Sequence, residues 1–262
     1  MMLKTLAADP PSGRQRPLFI DDAQYSTAVI RQGAPIPWTD TAALTAHFGQ
    51  VRGLLDPDAQ WIDIRRVFEA HCEARPELIE AMGARSRSGY PLRTVLGDPR
   101  LLTAVLESLG TVAATSARPL VLHVPSPACW LDWAHRLAGN PLDDVDADRA
   151  DSASMYIAEW LGQLGALPLA LVLFDARQAR FSSPEHLESY TALANVAAHF
   201  DWSLAMWQSS EIVGQPGSPS VGVIAPEFWI SGDTVPGTDV LVTTIPDTGT
   251  PETVLDQLAT LR

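Results

Sequence analysis

Short, continuous apolar runs, each closed by turn residues, constrain this chain more than any other feature. Six of them read as strands, at residues 18–20, 120–124, 169–174, 203–207, 221–225 and 240–244. Most are apolar throughout instead of alternating, as in strands covered on both faces. Amphipathic stretches with small polar residues at their starts lie between them. Asp98-Pro99 precedes Leu102, Val105, Leu106 and Leu109, and Asp151 precedes Ile157, Trp160, Leu161 and Leu164. Ser183-Pro184 precedes Leu193, Val196, Ala197 and Phe200, and Thr250-Pro251 precedes Val254, Leu255, Leu258 and Leu261. The i, i+3, i+4, i+7 spacing and the proline at the first helical position predict four helices. Helix and strand alternating from residue 98 onward means βα units and a parallel sheet.

Residues 40–97 read differently. They carry helical patterns at 42–55, 61–72 and 76–82 and no evident strand, so a helical N-terminal segment is expected to pack over one end or side of the sheet. Residues 85–89 and 214–220 read as loops, and the acidic stretch 143–148 as a solvated loop before a helix at 151. Residues 1–17 read as a flexible tail: one lysine, little apolar length and early prolines make a poor signal peptide. Residues 18–262 are then expected to form a single domain.

The stretch 168–187 joins fold to chemistry. An apolar strand ends at Asp175, a polar loop follows with Arg177 and Arg180, and a helix is expected from Pro184. Folds of the α/β class place ligand chemistry at such strand ends.

The formal net charge is −13 and Lys4 is the single lysine. That balance argues against nucleic acid and anionic membranes, both of which call for clustered positive charge. No apolar run approaches the roughly 20 residues needed to span a bilayer, so a cytoplasmic location is the expectation. Cys72 and Cys129 show no CxxC spacing and read as free thiols. No P-loop, GxGxxG, GxSxG or metal-ligand cluster is present in the sequence, so neither cofactor nor metal is expected.

The arrangement from residue 98 to the end resembles the superfamily of uroporphyrinogen decarboxylase, cobalamin-independent methionine synthase and the corrinoid methyltransferases. RPLVLHVPSPACWLDW (118–133) is similar to that family's strand, Ser-Pro turn and aromatic. SASMYIAEWLGQLGALPLALVLFDA (152–176) is similar to its helix, turn and strand ending in an acidic residue. FSSPEHLESYTALANVAAHFDWSLAMW (181–207) resembles its helix and next strand, and VIRQGA (29–34) its arginine segment. The resemblance implies a (β/α)8-type, TIM-like barrel, trimmed or incomplete because only six strands are legible, with its site at the C-terminal mouth. It implies a lyase or decarboxylase acting without metal on a carboxylated or conjugated small molecule. Alkyl or methyl transfer, or a non-catalytic binding role, are the alternatives. By analogy, a shortened barrel suits a homodimer. Departures from the family pattern are Ala176 where the decarboxylases carry serine, no histidine in LVTTIPDTG (241–249), Ile36-Pro37 in place of a second arginine, and AMWQSS (205–210) without the zinc site's histidine and cysteine. Authentic uroporphyrinogen decarboxylation is therefore not expected.

On this reading Asp175 is the leading acid–base candidate, or alternatively a cap of its own loop. Glu227, after Ala225-Pro226, is a second carboxylate at a strand end. His123 is a proton carrier if its ring faces the mouth, and otherwise a hydrogen-bonded core residue. Arg177 and Arg180 can hold a carboxylate or pair with Asp175, and the family match makes Arg31 a further anchor. Ser126 joins the binding residues at its turn. Trp130, Trp133, Trp207 and Trp229 either wall an aromatic pocket at the mouth or pack in the core.

Overall fold

The computed structural model describes residues 2–177 and 184–262. Among these residues eight strands and twelve α-helices run in the order α1 (Met2–Ala8), β1 (Leu18–Asp21), α2 (Ala23–Tyr25), α3 (Thr41–Leu55), β2 (Gln60–Asp63), α4 (Ile64–Glu73), α5 (Pro76–Gly83), α6 (Tyr90–Leu96) and α7 (Pro99–Ser116). There follow β3 (Leu120–Pro125), α8 (Pro127–Leu137), α9 (Ala147–Gly162), β4 (Leu169–Asp175), α10 (Thr191–Phe200), β5 (Ser203–Gln208), β6 (Glu211–Gly214), β7 (Val221–Ile224), α11 (Phe228–Ser231), β8 (Val240–Thr244) and α12 (Pro251–Thr260). The class is α/β, with helix predominating and strands mostly parallel.

The strands form two sheets. One has the order β2-β3-β4-β5-β6, parallel except for the β5–β6 hairpin, and the other is the parallel set β1-β8-β7. A parallel bridge between Phe19 and Ala59 links β1 to the residue before β2, and β6 lies beside β7. One apolar cluster draws on every strand: Phe19, Trp61, Val121, Leu171, Leu173, Ala205, Trp207, Ile212, Val221, Val240 and Val242. A larger cluster lies between the first sheet and helices α3 to α10, and a third lies under α12.

Local sequence accounts for the helix starts. Asp40, Asp63, Asp98, Ser126, Asp146 and Thr250 each accept a hydrogen bond from the backbone N–H three residues on, as an N-cap does. Pro99, Pro127 and Pro251 occupy the first helical position, where a missing N–H costs nothing.

Several expectations are corrected. Residues 2–8 are a helix, not a tail: Leu3 and Leu6 are buried in the cluster shared by all strands. Segment 40–97 is not purely helical, because β2 interrupts it and pairs with β3. There are eight strands among the described residues, not six; β2 and β6 are the additions. Helix α9 begins at Ala147, inside the acidic stretch expected to be loop, because Asp146 caps it. Pro184 opens no helix: residues 184–186 are irregular, a 3₁₀ turn covers Leu187–Ser189, and α10 starts at Thr191. No helix among the described residues is long and apolar enough to cross a membrane.

Candidate active site

Side chains alternate along a strand, so residues two apart share a face. Phe19, Trp61, Val121, Leu173 and Ala205 face the common apolar cluster. Two residues further along each strand stand Asp21, Asp63, His123, Asp175 and Trp207. The first four line a cavity of about 300 Å³ with Arg65, Arg66, Glu69, Pro125, Cys129 and Arg177. Sheet register sets Asp63 beside His123 and Asp175 beside both Pro125 and Trp207. The polar layer thus lies at the C-terminal ends of β1 to β4, directly above an apolar floor.

His123 and Asp175 are the centre of this layer. His123 Nε2 donates to Asp175 Oδ2 at 3.0 Å, and the two side chains are 12% and 13% exposed. Arg177 grips the same carboxylate with both ends of its fork, Nε to Oδ1 at 2.9 Å and an η-nitrogen to Oδ2 at 2.7 Å. Its guanidinium lies 3.6 Å from the centre of the Trp207 ring, a cation–π contact that fixes the plane of the fork. Two aromatics contact the imidazole, the Trp61 ring 5.0 Å away and tilted by 30°, and the Trp207 ring 6.3 Å away in an edge-on arrangement. His123 Nδ1 lies 4.0 Å from Asp63 Oδ2 and makes no hydrogen bond among the described residues.

The electrostatics follow from these contacts. Burial resists charging His123, but the hydrogen bond to Asp175 and the charges of Asp63, Asp175 and Asp21 outweigh it, and its pKa is raised. Burial alone would lift Asp175. The hydrogen bonds from Arg177 and His123 overcome it and hold the carboxylate below its ordinary range. Asp21 goes the other way: burial, with Asp63 adding to it, raises its pKa against the pull of His123. Three acids of the cavity are matched by arginines, Asp63 with Arg66 at 3.2 Å, Glu69 with Arg65 at 2.9 Å, and Asp175 with Arg177. His123 and Asp21 are left as the two groups whose protonation sets the charge of the cavity, and both are shifted toward holding a proton.

The sequence-predicted residues divide. Asp175, His123, Arg177 and Trp207 come together. Ser126 is buried next to them but spoken for: it caps α8 and donates to Glu185, which also accepts from the Ala128 N–H at 3.0 Å and from Tyr190 Oη at 2.5 Å. Trp133 is half-buried and donates to Glu69 at 3.2 Å, so it touches the rim through that side chain. Trp130 sits in the helical core against Phe68 and Trp160. Trp229 donates to Thr243 at 2.7 Å in the cluster under α12. The expected gathering of four indoles is therefore corrected: Trp130 and Trp229 belong to helices, whose side chains turn away from the strand ends. Glu227 is exposed at the start of α11 and lines no part of the cavity. Arg31 is spent on the carbonyls of Ala34 and Pro35 in its own loop. Arg180 lies outside the described residues.

Asp21, Asp63, Arg65, Arg66, Glu69 and Trp61 escaped the sequence reading. A signal was present: FID (19–21), WID (61–63) and LFD (173–175) each close an apolar pair with aspartate at a strand end. Cys129 lines the cavity, but burial pushes its thiol up to about 12. Among the described residues no group of three or more His, Cys, Asp or Glu is arranged to hold a metal ion. No family model matches the chain, and no curated protein or solved structure matches it either.

Proposed function

We propose that this chain is a small-molecule lyase of the decarboxylase type, and that its two sheets close into one (β/α)8-like barrel whose mouth is the cavity above β1 to β4. Closure is supported by the Phe19–Ala59 bridge, by β6 lying beside β7, and by the cluster to which all eight strands contribute. The observation that carries the catalytic reading is the His123–Asp175 pair, 3.0 Å apart at the strand ends inside a cavity of 300 Å³. Asp175 orients the ring and favours its protonated form. Nδ1–H is then the donor left for a ligand. When a C–COO⁻ bond breaks, CO₂ leaves and the electron pair stays on carbon; His123 supplies the proton that this carbon takes up. Asp21, held toward its neutral form, is placed to accept from or donate to a second polar group of the substrate. The alternative, methyl or alkyl transfer to a thiol or cobalamin protein, needs a group that activates the acceptor, and among the described residues no cluster of His, Cys, Asp or Glu is arranged to hold a metal for that task.

The test is a panel of conjugated and aromatic carboxylic acids labelled with ¹³C at the carboxyl group, followed for ¹³CO₂ release by the wild type and by His123→Gln. Release by the wild type that falls by about 100-fold or more in the variant is the expected result for loss of a general acid. Equal release by both proteins overturns the role of His123. Binding of panel members without turnover favours a non-catalytic binding protein.

A further inference from the structure

A second cleft, of about 390 Å³, opens between the loop before α6 and the outer face of α9, and it shares no lining residue with the cavity at the strand ends. It is lined by Arg85, Arg87, Gly89, Tyr90, Arg93, Thr94, Gly97 and Tyr156, of which Arg85, Arg87 and Arg93 matter most. In a chain of 31 acidic against 18 basic residues, an arginine has carboxylates in excess to choose from. Arg14, Arg65, Arg66, Arg75, Arg118, Arg136, Arg149 and Arg177 all take one. Among the described residues, Arg85, Arg87 and Arg93 form no ion pair, although they converge on one concavity.

Their neighbours hold them ready. The Arg85 guanidinium lies 5.2 Å from the centre of the Tyr90 ring, and that of Arg93 6.0 Å from the Tyr156 ring. A cation–π contact uses the face of the guanidinium and leaves its in-plane N–H donors free. The loop can close on Tyr156 because residue 89 is glycine: a Cβ there would stand 2.7 Å from the Tyr156 ring.

We propose that this cleft binds a small ligand through a phosphate group, with Arg85, Arg87 and Arg93 donating to its oxygens. Guanidinium forks match the geometry and charge of phosphate. An extended polyanion does not fit, because the chain around the three arginines is strongly acidic overall.

The experiment is titration calorimetry of the full chain with inorganic phosphate, pyrophosphate, a sugar phosphate and a nucleoside triphosphate as separate probes, and sulfate as the control for charge alone. At least one phosphate probe is expected to bind at 1:1 more tightly than sulfate, with affinity falling as salt rises. Arg87→Gln and Arg93→Gln are each expected to weaken it about tenfold, which is about 1.4 kcal/mol. Gly89→Ala keeps all three charges and is expected to weaken binding by displacing Tyr156. Circular dichroism and the unfolding midpoint confirm that each variant folds. The ranking of probes identifies whether free phosphate, a sugar ester or a nucleotide is the source. Absence of millimolar or tighter binding by every phosphate probe overturns the proposal. So does binding unaffected by either arginine variant, or binding abolished by Arg177→Gln, which would put the anion at the strand ends.

Discussion

Asp175→Asn separates the electrostatics of the candidate site from its shape. The substitution keeps size and removes one charge. In the native chain the carboxylate accepts from His123 at 3.0 Å, from Arg177 Nε at 2.9 Å, from an Arg177 η-nitrogen at 2.7 Å and from the Arg177 backbone N–H at 3.0 Å. An amide has one acceptor oxygen, so one set of these donors must face an NH₂ group. Loss of the hydrogen bond to His123 costs about 1.5–3 kcal/mol, the range for a bond to a charged group. The Arg177 side chain is 33% exposed, so water replaces much of what it loses and its share is smaller. The pH dependence carries the sharper information. His123 has a raised pKa in the folded chain, so its contribution is fully present below the unfolded value of about 6.5 and is lost as pH rises through the folded value. Asp175 has a lowered pKa, so its contribution is present above about 3.9 and is lost as pH falls through the folded value. The two overlap between about pH 4 and 6.5. Urea unfolding should therefore show a larger penalty for Asp175→Asn at pH 5.5 than at pH 9. Titration of ring-labelled histidines by NMR should show the His123 midpoint falling in the variant. A midpoint that stays in place, or a penalty equal at both pH values, would refute the assignment of Asp175 as the group that charges His123.

Leu3 is 1% exposed in the cluster common to all eight strands, so Leu3→Ala is expected to cost about 2–5 kcal/mol by urea unfolding; a loss below about 0.5 kcal/mol would restore the tail. Glu185→Ala leaves the Ser126 hydroxyl, the Ala128 N–H and the Tyr190 hydroxyl without their shared acceptor, and should destabilise by on the order of 3 kcal/mol in the same assay. Cys72 is buried and lifted to about 11, and the half-buried Cys129 is lifted to about 12, so neither should react appreciably with iodoacetamide at pH 7.5 in the folded chain, while both should in guanidinium; fast native labelling of Cys129 would contradict its raised pKa.

Much of the fold was legible because packing and local sequence agreed. Strands β3, β4 and β5 are apolar on both faces since helices cover one side and the shared cluster the other, and such runs stand out. The two strands that were missed have identifiable reasons. In β2 the residues Trp61 and, beyond it, Ile64, Phe68 and Cys72 are spaced by three and four, so the strand's one inward aromatic continues the apolar stripe of α4 and reads as its first turn. In β6, four residues alternate between exposed and buried, too few to separate from a loop. Helix α1 was misread because its seven residues hold just two large buried side chains, and only the tertiary fold supplies the cavity they fill. The tryptophans failed for a geometric reason. Trp130 and Trp229 follow strand ends closely in sequence, but each stands inside a helix, and a helix rotates its side chains by about 100° per residue while a strand holds its side chains to one face.

The same geometry explains why the site is made of aspartates from separate strands. A parallel sheet brings equivalent positions of neighbouring strands into one row, so a residue type repeated at strand ends becomes a cluster without any motif in the linear sequence. Asp63 and His123 are register partners, Asp21 and Asp175 close β1 and β4 at positions offset from theirs, and all four line one cavity. Three bare carboxylates at this spacing would repel one another and attract any cation. The chain instead answers Asp63 and Asp175 with Arg66 and Arg177, and Glu69 with Arg65. The negative field that remains acts on His123, and burial acts on Asp21, and both effects favour the protonated form. A cavity so arranged is biased toward resting with its protons in place, so it presents donors and not free bases to a ligand. This bias suits protonation of an electron-rich carbon and works against abstraction of a proton from a neutral one. It is the physical reason for preferring a decarboxylating lyase to an isomerase that begins with proton abstraction.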